Sequence, residues 1–331
     1  PVISIAGNHD SPERIEVPDP LARECGIFFV GYPNTKVPEI ELDSGLKILK
    51  SEPGFVEMKL PGQDYPLRLV LTPYANEQRL KTYFDMENRE EELRQILTEK
   101  WRETADEHCD NAGVNILLTH LFMMKKDAVP PEEPEDEKPI LHIGGAQAVY
   151  STNIPEQIQY TAVGHLHRYQ VVDEQPCPVI YSGSPLSYSF SEANQTKYVS
   201  IINAQPGKPV EYEKIALTKG KSLLKARFDS IDDAVAWLEA NPNSLVELTV
   251  VQDDYLNSMD RKRLLNAHDG IVAIIPEITR AESEGDSKLT IDLQKSIDDL
   301  FVDYFKFKHE QEPNEELLDL FKEIRDVEVY E

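Results

Sequence analysis

The chain has 331 residues, 40% of them hydrophobic, and a formal net charge of −26, from 34 Lys and Arg against 60 Asp and Glu. This acidic balance argues against a protein that holds nucleic acid by bulk attraction, so any phosphate chemistry needs local charge such as metal ions. No apolar run is long enough to span a membrane, and the three scattered cysteines argue against a disulfide framework or a zinc ribbon and predict a reducing, cytoplasmic environment.

The first part of the chain, residues 1–217, alternates short β-rich runs with turns and contains one long helix. Runs of this length between Gly, Pro and Asn predict strands at 1–6, 26–31, 55–60, 67–74, 114–120, 159–165, 178–183 and 197–203. The helix is predicted from about Met86 to His108, and its apolar face comprises Leu93, Ile96, Leu97, Trp101 and Ala105. Strands covered by a helix indicate a layered α/β domain, and the acidic, Pro-rich segment 128–139 predicts a loop.

The pattern changes near residue 218. Strands at 223–228, 245–251 and 270–278, with helices at 231–240 and 255–268, predict a small α/β domain over 218–278. The remainder, 279–331, is predicted to be a polar linker and two amphipathic helices, with apolar stripes at Ile297, Leu300, Phe301, Tyr304, Phe305 and at Leu317, Leu318, Phe321, Ile324. These helices either fold back on the core or dock on a partner, and the linker favours a partner.

Three polar clusters each follow a β-rich run and so can meet at one sheet edge. They are Asn8-His9-Asp10, His120, and the pair His165 and His167. Imidazole nitrogens and an amide oxygen, without cysteine, suit a divalent ion such as manganese or magnesium. We assign no role to the isolated histidines, which are His108, His142, His268 and His309.

The order of these motifs resembles that of a known enzyme family. GNHD, TH after a strand, and GHLH are similar to the third, fourth and fifth motifs of the calcineurin-like metallophosphoesterases. The segments IGGAQAVYSTNIPEQIQYTAVGHLHRYQVV (143–172) and YSGSPLSYSFSEANQTKYVSII (181–202) are closer to one branch, the SbcD nuclease subunits of bacterial SbcCD complexes. The resemblance covers nearly the whole chain. It implies a four-layer α/β/β/α sandwich with a small α/β cap and C-terminal helices.

The resemblance also implies roles for the clustered residues. Asn8, His120, His165 and His167 would be metal ligands, His9 would contact the scissile phosphate and help the leaving oxygen, and Asp10 would orient His9. Two divalent ions, manganese or alternatively magnesium, would support phosphodiester hydrolysis.

The same resemblance implies a DNA exonuclease and hairpin endonuclease in DNA replication, recombination and repair. Its partners would be an SbcC-type coiled-coil ATPase, bound by the C-terminal helices, and double-stranded DNA ends and hairpins, faced by the small domain. A homodimer within a heterotetramer is implied as well.

The family's first two motifs, an Asp-x-His and a Gly-Asp with a following Asp, have no counterpart here. DEH at 106–108 ends a helix, and GD at 285–286 lies in the polar linker, so neither follows an apolar strand. We therefore expect the chain to be a fragment of a longer gene product that by itself binds metal weakly and hydrolyses little.

Two other functions stay open at this stage. One is a phosphodiesterase for small substrates, which the net charge favours; the other is a catalytically inactive adaptor that keeps only the partner-binding helices. Arg168, beside GHLH, and the basic cluster Asp260–Leu265 are candidate phosphate contacts, although a solvated helix face also explains the second.

Overall fold

A computed structural model describes residues 1–82, 89–128, 148–253 and 256–278, and in the C-terminal part residues 300–302, 304–306, 313, 317, 318 and 321. Most of the predicted acidic loop, His142, His309, the GD at 285–286, the linker, Ile297 and Ile324 lie outside these residues. Within them, no helix is long and apolar enough to cross a membrane.

The described strands and helices follow the predicted alternation. The strands are β1 (Val2–Ile5), β2 (Ile27–Val30), β3 (Lys47–Glu52), β4 (Phe55–Lys59), β5 (Pro66–Thr72), β6 (Val114–His120), β7 (Met123–Met124), β8 (Val149–Tyr150), β9 (Tyr160–Gly164), β10 (Gln170–Asp173), β11 (Val179–Tyr181), β12 (Tyr198–Asn203), β13 (Glu211–Ala216), β14 (Ser222–Phe228), β15 (Ser244–Gln252) and β16 (Ile271–Ile278). The α-helices are α1 (Pro12–Glu16), α2 (Asp19–Ala22), α3 (Glu77–Leu80), α4 (Arg89–His108), α5 (Ile231–Ala240) and α6 (Ser258–Ala267).

A seven-stranded sheet forms the centre of the first unit, in the order β10-β11-β9-β6-β5-β4-β3. Its four middle strands, β11, β9, β6 and β5, are parallel, and β10, β4 and β3 pair antiparallel at the two sides. The parallel strands β6 and β9 align His120 with Gly164 at their carboxyl ends. Both strands therefore deliver the following loop to one edge of the sheet.

The long helix α4 covers one face of this sheet. As the period predicts, Leu93, Leu97, Trp101 and Ala105 are at most 2% exposed, and Ile96 packs against the same core. The indole Nε1 of Trp101 donates to Thr72 Oγ1 at 2.8 Å, so the buried polar atom keeps a partner. The predicted apolar face of the helix is confirmed.

The opposite face of the sheet packs against two small two-stranded sheets. The parallel pair β1-β2 and the antiparallel pair β12-β13 contribute Ile5, Phe28, Val30, Ile202 and Tyr212 to a second core beneath the central sheet. The short helices α1 and α2 in turn contact β2. The layers are therefore helix, sheet, strands and helices, which confirms the α/β/β/α architecture.

Residues of the small α/β segment have a core of their own. The sheet β14-β15-β16 is covered by α5 and α6, whose buried Leu238 and Leu264 meet Val246 and Leu248. Side chains of Ser230 and Asn257 cap the two helices at their amino ends. The compact unit Pro1–Glu277 includes this segment, so its status as a separate domain remains a prediction.

A second compact unit spans Ile278–Glu331. Its described residues include a stacked aromatic pair, Phe301 on Phe321, with ring centroids 4.1 Å apart and an interplanar angle of 10°. Phe301 also lies 6.1 Å from Phe305. The two predicted apolar stripes thus contact each other through these aromatic rings.

Three strands longer than two residues were missing from the sequence prediction. They are β3, β10 and β13, and all three carry charged or amide side chains among few apolar ones. Each pairs along only one side within its sheet, so its outer residues stay solvated and the apolar alternation is weak. All three cysteines are free.

Candidate active site

Three segments meet at a cavity of about 340 Å³. The segment after β1 contributes Asn8, His9 and Asp10, the carboxyl end of β6 contributes His120, and the segment after β9 contributes His165 and His167. All six side chains predicted for the site from the motifs therefore line one cavity. Ser184, Pro185 and Tyr188, from the loop after β11, complete the wall on the side of His167.

The amide oxygen of Asn8 lies between the imidazole rings of His120 and His165. Its Oδ1 atom is 3.0 Å from His120 Nε2 and 3.4 Å from His165 Nδ1. The two rings meet edge to face, with centroids 5.4 Å apart. One amide oxygen and two imidazole nitrogens thus converge from three distant parts of the chain. Atoms of these two kinds are ligands that divalent cations bind in proteins.

Two glycines make the room that the His120 ring needs. A Cβ atom on Gly7 would lie 2.7 Å from Cε1 of His120, and one on Gly164 would lie 2.8 Å from its Nδ1. Both distances are too short for van der Waals contact. The glycines of GNHD and GHLH are therefore required by the packing of His120 and not by backbone conformation.

His165 has an uncommon backbone conformation. Its φ is +110°, in a region that non-glycine residues rarely adopt. Such conformations persist where surrounding structure holds them, and they concentrate at functional sites. Here the residue forms the bend between the end of β9 and His167.

Burial keeps the central imidazoles uncharged. Burial is the largest cause that lowers the pKa of His120 to about 3, and repulsion from His165 and Arg79 adds to it. Burial likewise lowers the pKa of His165 to about 4, with repulsion from His167 and His9. At neutral pH both rings therefore carry a lone pair, which is the form in which histidine binds metals.

The GNHD turn is held by Asp10 and by an arginine from α3. The Asp10 carboxylate accepts the Gly7 N–H at 2.7 Å, and within the described residues no hydrogen bond joins it to His9. Arg79, 8% exposed, donates to the carbonyl oxygens of Gly7 at 2.8 Å and Asp10 at 2.7 Å. Asp10 thus organises the turn, and its role in orienting His9 stays a prediction.

A buried ion pair supports His167. Glu192 and Lys197 form a salt bridge whose side chains are 1% and 9% exposed, and Glu192 Oε1 is 3.2 Å from His167 Nδ1. Burial raises the pKa of Glu192, but hydrogen bonds from Lys197 and from the Tyr188 backbone outweigh it, and the net pKa lies below the usual range. Glu192 is therefore a charged acceptor behind His167.

The remaining candidates for a phosphate contact are His9, Arg168 and the basic cluster Asp260–Leu265. His9 lines the cavity and is exposed, whereas Arg168 is exposed and does not line it. In the basic cluster on α6, Arg263 is paired with Asp232 at 2.5 Å and with Asp260 at 3.7 Å. That pairing favours a solvated helix face over a phosphate contact.

A second group of metal-type side chains is already contacted by a lysine. Glu52, Glu107 and His108 offer ligand atoms within 4.8 Å of one another. Lys50 Nζ lies 3.0 Å from Glu52, 3.8 Å from Glu107 and 3.2 Å from His108 Nδ1. An ammonium group therefore occupies the position that a cation would need.

Sequence reasoning missed Arg79, Glu192 and Lys197. Arg79 contacts backbone carbonyls about seventy residues away, for which no local pattern exists. Glu192 and Lys197 lie within the segment 181–202 that carries the resemblance, but a charged pair is normally read as solvated surface. Their burial is visible only in three dimensions.

Comparison with known proteins supports the motif reading. The chain is 30% identical over 329 residues to SbcD, a subunit of the nuclease SbcCD of Bacillus subtilis (strain 168). The alignment covers 98% of this chain and 78% of that relative. No model of a protein family matches the chain.

Proposed function

Because the chain belongs to the family of the SbcD nuclease subunit, we propose that it is the catalytic part of a metal-dependent DNA nuclease. The reaction is hydrolysis of DNA phosphodiester bonds at double-stranded ends and hairpins. The nuclease acts together with an SbcC-type ATPase in DNA replication, recombination and repair, in the cytoplasm.

One observation carries the proposal: the convergence of Asn8, His120 and His165. The ring nitrogens of the two histidines lie 3.0 and 3.4 Å from the Asn8 amide oxygen, in a cavity that His9 and His167 also line. These side chains come from three distant parts of the chain, and two of them are uncharged imidazoles at the wall of one cavity, which supports a metal site.

The donor set fits a divalent cation, for which manganese is the first choice and magnesium the second. Asn8, His120, His165 and His167 would hold it, and the neutral state of the central rings supports binding without proton loss from them. When bound, one or two such ions supply Lewis-acid polarisation of the phosphate and activation of water.

The side chains around these ligands have separate tasks in the proposal. His9, exposed at the cavity wall, contacts the scissile phosphate and gives a proton to the leaving oxygen. Asp10 and Arg79 hold the turn that carries Asn8 and His9. A direct phosphate contact by Arg168 is a secondary part of the proposal.

The wider organisation belongs to the proposal as well. Residues 1–217 form the nuclease domain, 218–278 a small domain that faces DNA, and 279–331 the element that binds the coiled-coil ATPase. Two nuclease chains and two ATPase chains assemble into a heterotetramer. The acidic net charge of −26 is consistent with an ATPase partner that provides much of the DNA affinity.

The proposal is tested by cleavage of end-labelled DNA in manganese. The protein, expressed from its complete gene, is mixed with its SbcC-type partner, a linear duplex or hairpin DNA, and in parallel a chromogenic phosphodiester. The matched pair of variants is His120→Asn and His268→Asn, since His268 is buried in the small α/β segment, bonded to Ser244 and Asn241.

We expect manganese-dependent DNA cleavage by the wild type and by His268→Asn, and a loss of at least a hundredfold in His120→Asn. Hydrolysis of the small ester without DNA cleavage would instead favour a small-substrate phosphodiesterase. Retained ATPase binding with neither activity would favour an inactive adaptor.

A further inference from the structure

Glu192 collects four donors in the loop beside the candidate active site. Its Oε1 atom is 3.2 Å from His167 Nδ1 and accepts the Tyr188 N–H at 3.2 Å. Its Oε2 atom accepts from Lys197 Nζ and from Ser184 Oγ, the latter at 3.4 Å. A carboxylate that is 1% exposed therefore uses both oxygens within the protein.

We propose that Glu192, held in its charged form by Lys197, is a positioning residue that fixes His167 as the Nδ1–H tautomer. An ionised carboxylate only accepts hydrogen bonds, so the imidazole nitrogen facing it must carry the proton. The lone pair then lies on Nε2, the nitrogen through which His167 would hold a metal ion. Only the identity of the metal ion bound at Nε2 rests on the proposed function.

Lys197 holds the same histidine by its backbone. Its Nζ donates to the His167 carbonyl oxygen at 3.1 Å and to Ser184 Oγ at 3.0 Å. The Ser184 N–H also donates to that carbonyl oxygen at 3.1 Å. Ring and backbone of His167 are thus tied to one ion pair, which leaves the side chain little rotational freedom.

The cost of burying two charges supports a positioning role. A buried ion pair adds little stability compared with apolar residues of the same size, because desolvation offsets the attraction. Carboxylates behind metal-binding histidines, by contrast, commonly set the tautomer and the ring orientation. The contacts of Glu192 and Lys197 with His167 and Ser184 match the second case.

The Glu192→Gln variant separates positioning from simple stabilisation. Lys197 would donate its hydrogen bond to the amide oxygen of the new glutamine. The glutamine NH₂ group would then face His167 Nδ1 and donate to it. The proton of His167 would then move to Nε2. A purely structural ion pair would change stability and leave the tautomer as it was.

The matched control is Glu57→Gln. Glu57 accepts from Arg68 Nε at 2.7 Å, and the Arg68 side chain is 10% exposed, so this variant also breaks a partly buried ion pair. It lies on β4 and does not line the cavity. We expect lower stability in Glu57→Gln with no change at His167.

The experiment is nitrogen NMR of the metal-free full chain, labelled at its 8 histidines, at about pH 8, above the ordinary histidine pKa. The His167 signals are assigned by their absence in His167→Asn. We expect a protonated Nδ1 in the wild type and in Glu57→Gln, and a protonated Nε2 in Glu192→Gln. Calorimetric titration with Mn²⁺ alone should show affinity about 10 to 100-fold lower in Glu192→Gln.

A protonated Nε2 in the wild type would overturn the inference, and this result needs no variant to fold. An unchanged tautomer in folded Glu192→Gln would overturn it too. If the tautomers are as expected but neither the wild type nor Glu192→Gln binds Mn²⁺, the positioning role stands and the proposed metal function fails.

Discussion

At the residue scale, the candidate site depends on how tightly His120 is enclosed. The ring is held between Gly7 and Gly164, and its Nε2 atom reaches the Asn8 amide oxygen. The Tyr181 hydroxyl, fully buried, anchors the chain just beyond it by donating to the Leu121 carbonyl at 2.8 Å and accepting the Met123 N–H at 2.6 Å. Small changes next to the ring should therefore have large effects on binding.

Replacing Gly164 with alanine tests this enclosure. The new Cβ would lie 2.8 Å from His120 Nδ1, so the ring must leave its present position beside Asn8. We expect a stability loss of about 1–3 kcal/mol and at least tenfold weaker Mn²⁺ binding by calorimetry.

The control for this variant is Gly62→Ala. A Cβ there meets nothing within 4 Å, although its φ of +75° disfavours alanine. It should lose stability and keep its Mn²⁺ affinity. Equal affinity in Gly164→Ala and the wild type would contradict the steric argument.

Acidification should destabilise the metal-free protein through His120 and His165. Their folded-state pKa values, about 3 and about 4, lie below the ordinary histidine value, so the unfolded chain binds protons first as pH falls. The stability they contribute is complete above about pH 6.5 and is lost progressively below it, by about 2 kcal/mol per histidine at pH 5.

Urea unfolding in EDTA at pH 7 and at pH 5 measures this loss. A double variant, His120→Asn with His165→Asn, should show a smaller difference between the two pH values. The same difference in wild type and double variant would mean that other groups cause the acid sensitivity.

At the element scale, short segments and not the long helix set the site geometry. The four-residue helix α3 is capped by Asn76, whose side chain accepts the Arg79 N–H at 2.9 Å. This cap places Arg79 where its guanidinium reaches both ends of the GNHD turn and lies over the Tyr74 ring, 5.0 Å from its centroid. The turn then presents Asn8 and His9 to the cavity.

Removing Arg79 should loosen that turn. In Arg79→Met, two partly buried carbonyl oxygens lose their donors, at a cost of about 1–3 kcal/mol each. We expect hydrogen exchange of the Gly7 and Asp10 amides to accelerate at least tenfold.

Arg94→Met serves as the comparison, because Arg94 also donates from a mostly buried side chain to a backbone carbonyl, that of Ala148 at 3.0 Å. It should leave exchange at Gly7 and Asp10 unaltered. Slow exchange at both amides in Arg79→Met would show that Asp10 holds the turn alone.

The sequence was informative where chemistry and strand ends coincide. Because β6 and β9 are parallel neighbours, His120 and the GHLH segment had to emerge at one edge, and that expectation is confirmed. The apolar periodicity of α4 and the strands and helices of 222–278 could also be predicted from the sequence. Strands β3 and β13 could not be predicted, since charged residues interrupt their apolar alternation. The role of Glu192 could not be predicted either, because the burial of its charge depends on the folded loop.

At the scale of the whole molecule, two compact units divide the chain at residue 278. The first contains three buried cores, which involve the central sheet and the small α/β segment. The second contains the Phe301 and Phe321 stack. Each unit therefore has apolar contacts of its own.

A chain that ends at Ile278 should stay folded but no longer bind the SbcC-type ATPase. We expect a melting temperature within about 3 °C of the full chain, because the three cores remain intact. Binding to the SbcC-type ATPase, measured by size-exclusion chromatography, should disappear. A milder variant, Phe301→Ser, should weaken that binding, and full binding by the shortened chain would contradict the role proposed for 279–331.

Anomalous X-ray diffraction from crystals of the protein soaked in Mn²⁺ tests most directly whether the cavity binds a metal ion. We expect a manganese peak within coordination distance of Asn8, His120, His165 or His167, absent from crystals of His120→Asn. A peak at Glu52, Glu107 and His108 instead, or none in the cavity of the wild type at saturating Mn²⁺, would contradict it.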